Sequence, residues 1–252
     1  MDEDLKRIKA KLEELLSQEN GYFGRIYTWG QRPTDYEYVG YVLSEPIDGV
    51  LEGMSVEERQ KLVRILFHFE IHAAPLKKLL RIEPGEHNDL FSDIAWSHFM
   101  TVIMFGMLEV AAKDTSFAVY RGSYLNKQES IVRFLEGNLP DEVKADIADR
   151  YKVEQGTSPL EEKSFSGVVR HLWHEIRSGF VHEAGIGSKG MEWHTLSGGM
   201  GSEEDPIQIG SDVPMQELLQ ITWQAILNSF GYKGTLELPR RDRGSKTAQP
   251  SL

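Results

Sequence analysis

The run VVRHLWHEIRSGFVHEA, residues 168–184, decides the fold class of this 252-residue chain. Projected at about 100° per residue, its large apolar side chains fall on one side of a helix, which we expect to face a core. These side chains are Val169, Leu172, Trp173, Ile176 and Phe180. The other side is polar and carries His171, His174, Ser178 and His182. The run therefore predicts an amphipathic helix packed in a helical bundle.

Arg177 and His182 are the residues of this run best suited to chemistry on a phosphate group. A guanidinium is permanently charged and matches the geometry of phosphate, and an imidazole exchanges protons near neutral pH. On a regular helix, five residues offset the two Cα atoms by roughly 7.5 Å along the axis and about 140° around it. They can contact one phosphate from two sides if the helix ends at Gly185 or if a second subunit supplies a facing pair. The alternative is a surface salt bridge for Arg177 and a favourable helix-dipole position for His182.

The pattern of apolar residues predicts a mainly α fold with a four-helix up-and-down bundle. Its helices are expected at 89–113, at 127–151 with an interruption near Pro140, at 161–184 and at 214–231. Pro214 suits the first turn of the last helix, and Gly231 suits its end. A small β-hairpin is expected before that helix, around Met191–Leu196 and Ile207–Ile209.

Three parts of the chain are distinguished, at 1–85, 86–239 and 240–252. The first is an N-terminal extension with a helix at 4–17, an irregular segment with one or two short strands, and a helix that starts at Ser55 with an S-x-x-E capping box. We expect the extension to pack on the bundle, because Ile65, Leu66 and Phe69 need a partner surface. The last part has nothing to bury and is predicted to be disordered.

Composition limits the function classes. The chain has no cysteine, which excludes disulfides, thiolate zinc sites and a cysteine nucleophile. A net charge of −11 disfavours a protein that coats nucleic acid through its overall field, so a polyanion must meet a local basic cleft. The charged N-terminus lacks a signal-peptide core, and the apolar stretch 99–112 is shorter than a membrane span. We therefore expect a cytoplasmic protein without a membrane partner.

The run Arg177-x4-His182 near the end of a bundle helix resembles the R-x4-6-H signature of the HEPN superfamily, and IRSGFVHEAG looks like the form in its Apea-like branch. The resemblance covers this motif and a compatible helix order over about 86–232. It implies a metal-independent endoribonuclease, without a cofactor, whose Arg177 and His182 form a composite site in a homodimer. The residue after the arginine is often Asn, Asp or His in the family, and here it is Ser178.

The resemblance also implies a mechanism. The ribose 2′-hydroxyl attacks the adjacent phosphorus, Arg177 stabilises the charge on the phosphoryl oxygens, and His182 moves the proton. The products carry a 2′,3′-cyclic phosphate and a 5′-hydroxyl. RNA is then the substrate and DNA is not, because DNA lacks the 2′-hydroxyl.

Several further residues are candidates for supporting or substrate-binding roles. Glu109, alone in an apolar helix, could anchor Arg177 from inside the bundle, since buried charges tend to be paired. His171, His174 and Ser178 lie on the polar side of the run, and Arg170 could steer RNA. The alternative is that they are ordinary solvated residues of a helix surface.

Two patterns resemble ligand sites but lack the expected context. Gly185, Gly187 and Gly190 match G-x-G-x-x-G, but they follow a helix instead of a strand. His68 and His72 lie one helical turn apart, without the H-E-x-x-H order. We therefore expect neither a dinucleotide nor a metal, and interpret the histidines as a packed pair.

Three functions remain open from the sequence. The first is a HEPN-type ribonuclease, in the manner of a toxin or defence effector with a regulatory protein partner. The second is a module of the same fold that binds RNA or a nucleotide without cutting it, which Ser178 and the acidic charge both permit. The third is a structural helical dimer.

Overall fold

The computed structural model describes residues 3–17, 41–79, 89–113, 119–120, 123–124, 126–151, 160, 162–174, 198–202, 205–209, 213 and 215–237. Most of these residues are helical, and the remainder include three small antiparallel sheets of two strands each.

Eight α-helices lie in the described part of the chain. They are α1 (Glu3–Ser17), α2 (Asp48–Gly53), α3 (Val56–Leu79), α4 (Asp89–Ala112), α5 (Lys127–Asn138), α6 (Asp141–Arg150), α7 (Phe165–His171) and α8 (Met215–Ser229). The strands are β1 (Val42–Leu43), β2 (Val119–Tyr120), β3 (Ser123–Tyr124), β4 (Gly198–Ser202), β5 (Asp205–Ile209) and β6 (Leu236–Glu237). β1 pairs with β6, β2 with β3, and β4 with β5.

The helix starts follow local sequence signals. The capping box predicted at the start of α3 is confirmed, since the Glu58 amide donates to Ser55 Oγ at 3.2 Å and the Ser55 amide donates to Glu58 Oε2 at 2.8 Å. The side chain of Asn126 accepts from the Glu129 amide at the start of α5. Pro140 separates α5 from α6, where the sequence predicted an interruption.

One hydrophobic core unites helices from both sides of residue 85. Leu12 of α1, Ile65 of α3, Met107 of α4 and Ile226 of α8 belong to the same buried cluster. The ring of Phe69 meets Trp223 edge to face, with centroids 5.4 Å apart. The segment before α3 also contacts the C-terminal part of the chain through the β1–β6 pair, so the N-terminal region and the later helices form one packed body.

Two elements differ from the expectation. Helix α2 lies in a segment that was predicted to be irregular with short strands, because six residues are too few to display a helical period. The hairpin before α8 runs over Gly198–Ser202 and Asp205–Ile209, and the expected first strand at Met191–Leu196 lies outside the described residues. Among the helices described above, none is long and apolar enough to cross a membrane.

Candidate functional site

Helix α7 precedes the Arg177-x4-His182 motif in the sequence. The Ser164 hydroxyl caps its start by accepting from the Gly167 amide at 3.1 Å, and the helix continues after His171 as a π-helical turn at 172–174. π-turns often occur beside functional positions. Arg177, Ser178 and His182, the centre of the predicted site, lie outside the described residues.

His171 is buried, which corrects its predicted position on the polar side of the helix. Its side chain is packed against Tyr151, which follows the end of α6, and the two rings meet edge to face. Nδ1 of His171 is hydrogen-bonded to the Tyr151 hydroxyl at 2.9 Å. The helical projection assumed one buried face, but α6 covers the second face of α7. The described contact of His171 is therefore with the protein core.

Arg170 forms an ion pair with Glu129 of α5. Its guanidinium donates to both carboxylate oxygens of Glu129, from Nε at 2.7 Å and from Nη2 at 3.1 Å, and both side chains are partly buried. The backbone oxygen of Arg170 also accepts from Gln128 at 3.4 Å. The hydrogen bonds from Arg170 hold the pKa of Glu129 below its usual range. A guanidinium held in this way stabilises the α5–α7 contact, which differs from the predicted solvated or RNA-steering role.

Glu109 in α4 is paired with Lys127 of α5. Its carboxylate accepts from the Lys127 ammonium at 2.6 Å, and its side chain is 20% exposed. Glu109 is thus a partly exposed residue that joins α4 to the start of α5. The predicted anchoring of Arg177 by Glu109 stays a prediction, because Arg177 lies outside the described residues.

His174 is the one candidate of the predicted site that the structure describes as exposed. It lies in the π-helical turn, three residues before Arg177.

His68 and His72 form the packed pair that their spacing predicted, with ring centroids 4.5 Å apart. His68 is packed so closely on α4 that a Cβ added at Gly106 would lie 2.2 Å from its Nε2. Partial burial and the neighbouring His72 lower the pKa of His68. Within the described ranges, no group of three or more His, Asp or Glu side chains is arranged to hold a metal ion.

No family model, curated protein or solved structure matches this chain.

Sequence reasoning missed two residues that contact candidate residues of the predicted site: Tyr151, which contacts His171, and Glu129, which contacts Arg170. Tyr151 stands where a predicted helix ends, and a buried aromatic hydroxyl needs a polar partner, but nothing in the sequence indicated that His171 would supply it. Nothing in the sequence identified Glu129 as a partner of Arg170, because its only notable feature was its place in a predicted helix. Together these residues fix the orientation of α7, the last described helix before the motif.

Proposed function

We propose that this protein is an endoribonuclease of the HEPN type, in which Arg177 and His182 act on the RNA backbone. The observation that carries this function is the Arg177-x4-His182 motif, which begins six residues after the end of the largely buried helix α7. Cleavage by 2′-hydroxyl attack requires a positively charged group that binds the phosphate and a second group that transfers protons. The motif supplies both in one short segment.

Support for the fold comes from the way α4, α5, α7 and α8 pack. α4 and α5 contact each other and α8, and α7 lies against α5. Phe105 of α4 meets Trp173, just after α7, edge to face with centroids 5.2 Å apart. We assign these four helices to the HEPN-like bundle. Helices α1 to α3 form an additional layer on it.

The Tyr151–His171 and Arg170–Glu129 contacts support a positioned site. The first contact joins α7 to the residue that follows α6, and the second joins α7 to α5. Both lie shortly before Arg177 in the sequence. A helix fixed on two sides gives the following segment a defined starting point, which general acid–base chemistry needs because it depends on atom positions within a few tenths of an ångström.

In the reaction, the guanidinium of Arg177 binds the non-bridging phosphoryl oxygens and stabilises the charge that develops on them. His182 accepts the proton of the attacking 2′-hydroxyl or donates one to the leaving 5′-oxygen. In this proposal a homodimer brings two such segments together, and their guanidinium groups supply the local positive charge that RNA binding requires against the net charge of −11 of each chain.

The test uses the full-length protein and a short RNA labelled at its 5′ end, in buffer containing a chelator. We expect cleavage, with a 2′,3′-cyclic phosphate on the upstream product and a 5′-hydroxyl on the downstream one. The matched control is the same oligonucleotide with a single 2′-deoxy substitution at the cleaved position. We expect it to be resistant there, because the attacking group has been removed.

Other outcomes select the alternatives. RNA binding without cleavage would assign the chain to the non-catalytic binding modules, for which Ser178 and the acidic charge are the favouring features. If the protein is a dimer that neither binds nor cleaves RNA, the remaining function is the third one, a structural helical dimer.

A further inference from the structure

One side of α3 carries most of the large apolar side chains that the described part of the chain leaves exposed. Five such side chains are exposed among the described residues, and all but Val42 belong to this helix. The four on α3, which we call the α3 stripe, are Val56, Val63, Phe67 and Ile71. At about 100° per residue they fall within a sector of about 80°. Single exposed apolar residues are ordinary, but a continuous stripe of them marks an interaction surface.

The α3 stripe lies on the side of the helix that faces away from the core. Leu62, Ile65 and Phe69 of the other side are buried, where α3 packs against α1 and α4. A helix that is apolar on two sides has more apolar surface than its own fold uses. The stripe is therefore suited to a partner outside the described fold.

The spacing of the stripe indicates what kind of partner fits it. Val56, Gln60, Val63 and Phe67 follow one another at intervals of four, three and four residues, and all four are exposed. This is the a/d spacing with which one α-helix packs along another. Gln60 is the polar member of this series. The partner that matches such a surface is a second helix with a similar series of side chains.

Two charges lie along one edge of the stripe. Glu57 follows Val56 and Arg64 follows Val63, so the two charged residues occupy equivalent positions seven residues apart. Both are exposed, and neither forms a hydrogen bond or ion pair with the described residues. About 10.5 Å of helix separates them, which is too far for a pair within one chain. A partner that satisfies both must offer a cation and an anion at the same separation.

A second copy of α3 in antiparallel orientation meets this requirement. If a twofold axis passes beside residues 61–62, Val56 faces Phe67 of the second copy, and Gln60 faces Val63 of the second copy. Glu57 and Arg64 of the second copy then lie on the same side of the contact, offset by about 3 Å along the helix axis. The symmetry repeats each of these pairings, so two ion pairs form. In a parallel arrangement the twofold axis places equivalent edges on opposite sides, and these charges do not meet.

From this self-complementary pattern we infer that α3 is a self-association surface, on which a second copy of the chain docks with its own α3 antiparallel. The apolar pairs supply the affinity, and the two Glu57–Arg64 pairs select the orientation. About three turns of helix bury less than the roughly 800 Å² per partner of a standard interface, so the dimer is weak. This inference stands on α3 alone and does not rest on the proposed ribonuclease activity.

Charge reversal tests the arrangement directly. Sedimentation equilibrium of the full-length protein, at micromolar to millimolar concentrations, should show a monomer–dimer equilibrium. Glu57→Arg or Arg64→Glu alone turns both ion pairs into like-charge contacts and should weaken association by roughly five- to thirtyfold. An equimolar mixture of the two variants should regain the wild-type affinity, because one copy then carries two arginines along its edge and the other two glutamates. Failure of the mixture to associate better than either variant would overturn the antiparallel pairing.

Phe67→Asp tests the apolar part of the surface. Phe67 is exposed, so the variant should keep the circular dichroism of the wild type while it loses association by more than about tenfold. Arg7→Glu, a charge reversal on the exposed side of α1, is the control and should associate like the wild type. A protein that stays monomeric at every concentration would overturn the inference. A dimer whose affinity survives Phe67→Asp and both single charge reversals would also overturn it, and would leave the dimer of the ribonuclease proposal unaffected.

Discussion

The hydroxyl oxygen of Tyr151 lies 2.9 Å from Nδ1 of His171, and both side chains are buried. This contact joins the end of α6 to the end of α7, six residues before Arg177. It satisfies two polar groups that would otherwise be costly inside the core. The residue that the sequence offered as a substrate contact is therefore part of the structure that holds α7.

Removal of the Tyr151 hydroxyl should destabilise the protein. Tyr151→Phe leaves a buried imidazole nitrogen without its partner, and we expect a loss of about 1–3 kcal/mol in the free energy of unfolding. Urea titration followed by circular dichroism measures this loss. Combined with His171→Leu, the same change should cost much less, because both polar groups are then absent. An undiminished cost in the double variant would show that the hydrogen bond is not responsible.

Two phenylalanines of α3 provide a test of the packing between the N-terminal region and α8. Phe69 is 3% exposed and meets Trp223, whereas Phe67 is 60% exposed. Phe69→Ala should lower the free energy of unfolding by about 3–5 kcal/mol, because it leaves a cavity in the core. Phe67→Ala should change it by less than about 0.5 kcal/mol. Similar effects of the two substitutions would contradict the orientation of α3.

Gly106 allows α4 to approach His68, and Gly106→Ala should disturb this contact. The added Cβ would lie 2.2 Å from His68 Nε2, so the ring must move, at an expected cost of about 1–3 kcal/mol. Gly49→Ala in α2 is the matched control, since nothing lies within 4 Å of its added Cβ. That change should be neutral or stabilise by up to about 1 kcal/mol. Thermal unfolding of both variants measures these changes in stability. An increase in the stability of the Gly106→Ala protein would contradict the close packing of His68 on α4.

The Arg170–Glu129 pair should make stability depend on pH. Because Arg170 lowers the pKa of Glu129 in the folded state, the pair stabilises the protein above the ordinary glutamate pKa. This stabilisation is lost as the pH falls through the lowered folded-state value. Glu129→Gln should therefore cost about 0.5–1 kcal/mol at neutral pH, and the difference from wild type should disappear in acid.

The control for this pH dependence is Glu136→Gln in the same helix. Glu136 is exposed, and its carboxylate forms no hydrogen bond or ion pair with the described residues. The variant should follow the wild-type stability at every pH. A constant difference between Glu129→Gln and wild type from neutral to acidic pH would argue against the ion pair as its cause.

The helical parts of the fold were predictable because their signals are local. The apolar spacing of 89–113 and the capping box at Ser55 predicted α4 and the start of α3 closely. Pro140 marked the break between α5 and α6. Helix α2 and the exact strands of the hairpin were not predictable, since they are short and depend on the segments that pack against them.

The surroundings of the candidate site were less predictable. Projection of one helix cannot show that a second helix covers its polar side, and so the burial of His171 was missed. The partners of Arg170 and Glu109 come from α5, 41 and 18 residues away in sequence. Such pairings are set by tertiary packing, which neither periodicity nor spacing encodes. For Arg177 and His182 the function remains a proposal based on residue chemistry.

The most direct test of this function is the rate of RNA cleavage by Arg177→Ala and His182→Ala proteins whose circular dichroism matches wild type. Removal of a proton-transfer group or of the charge that stabilises the phosphoryl oxygens should lower the rate by about 10²- to 10⁴-fold. Arg7→Ala, which removes an exposed arginine of α1, should cleave at the wild-type rate. Cleavage by both site variants at the wild-type rate would contradict the assignment of Arg177 and His182 as the catalytic pair.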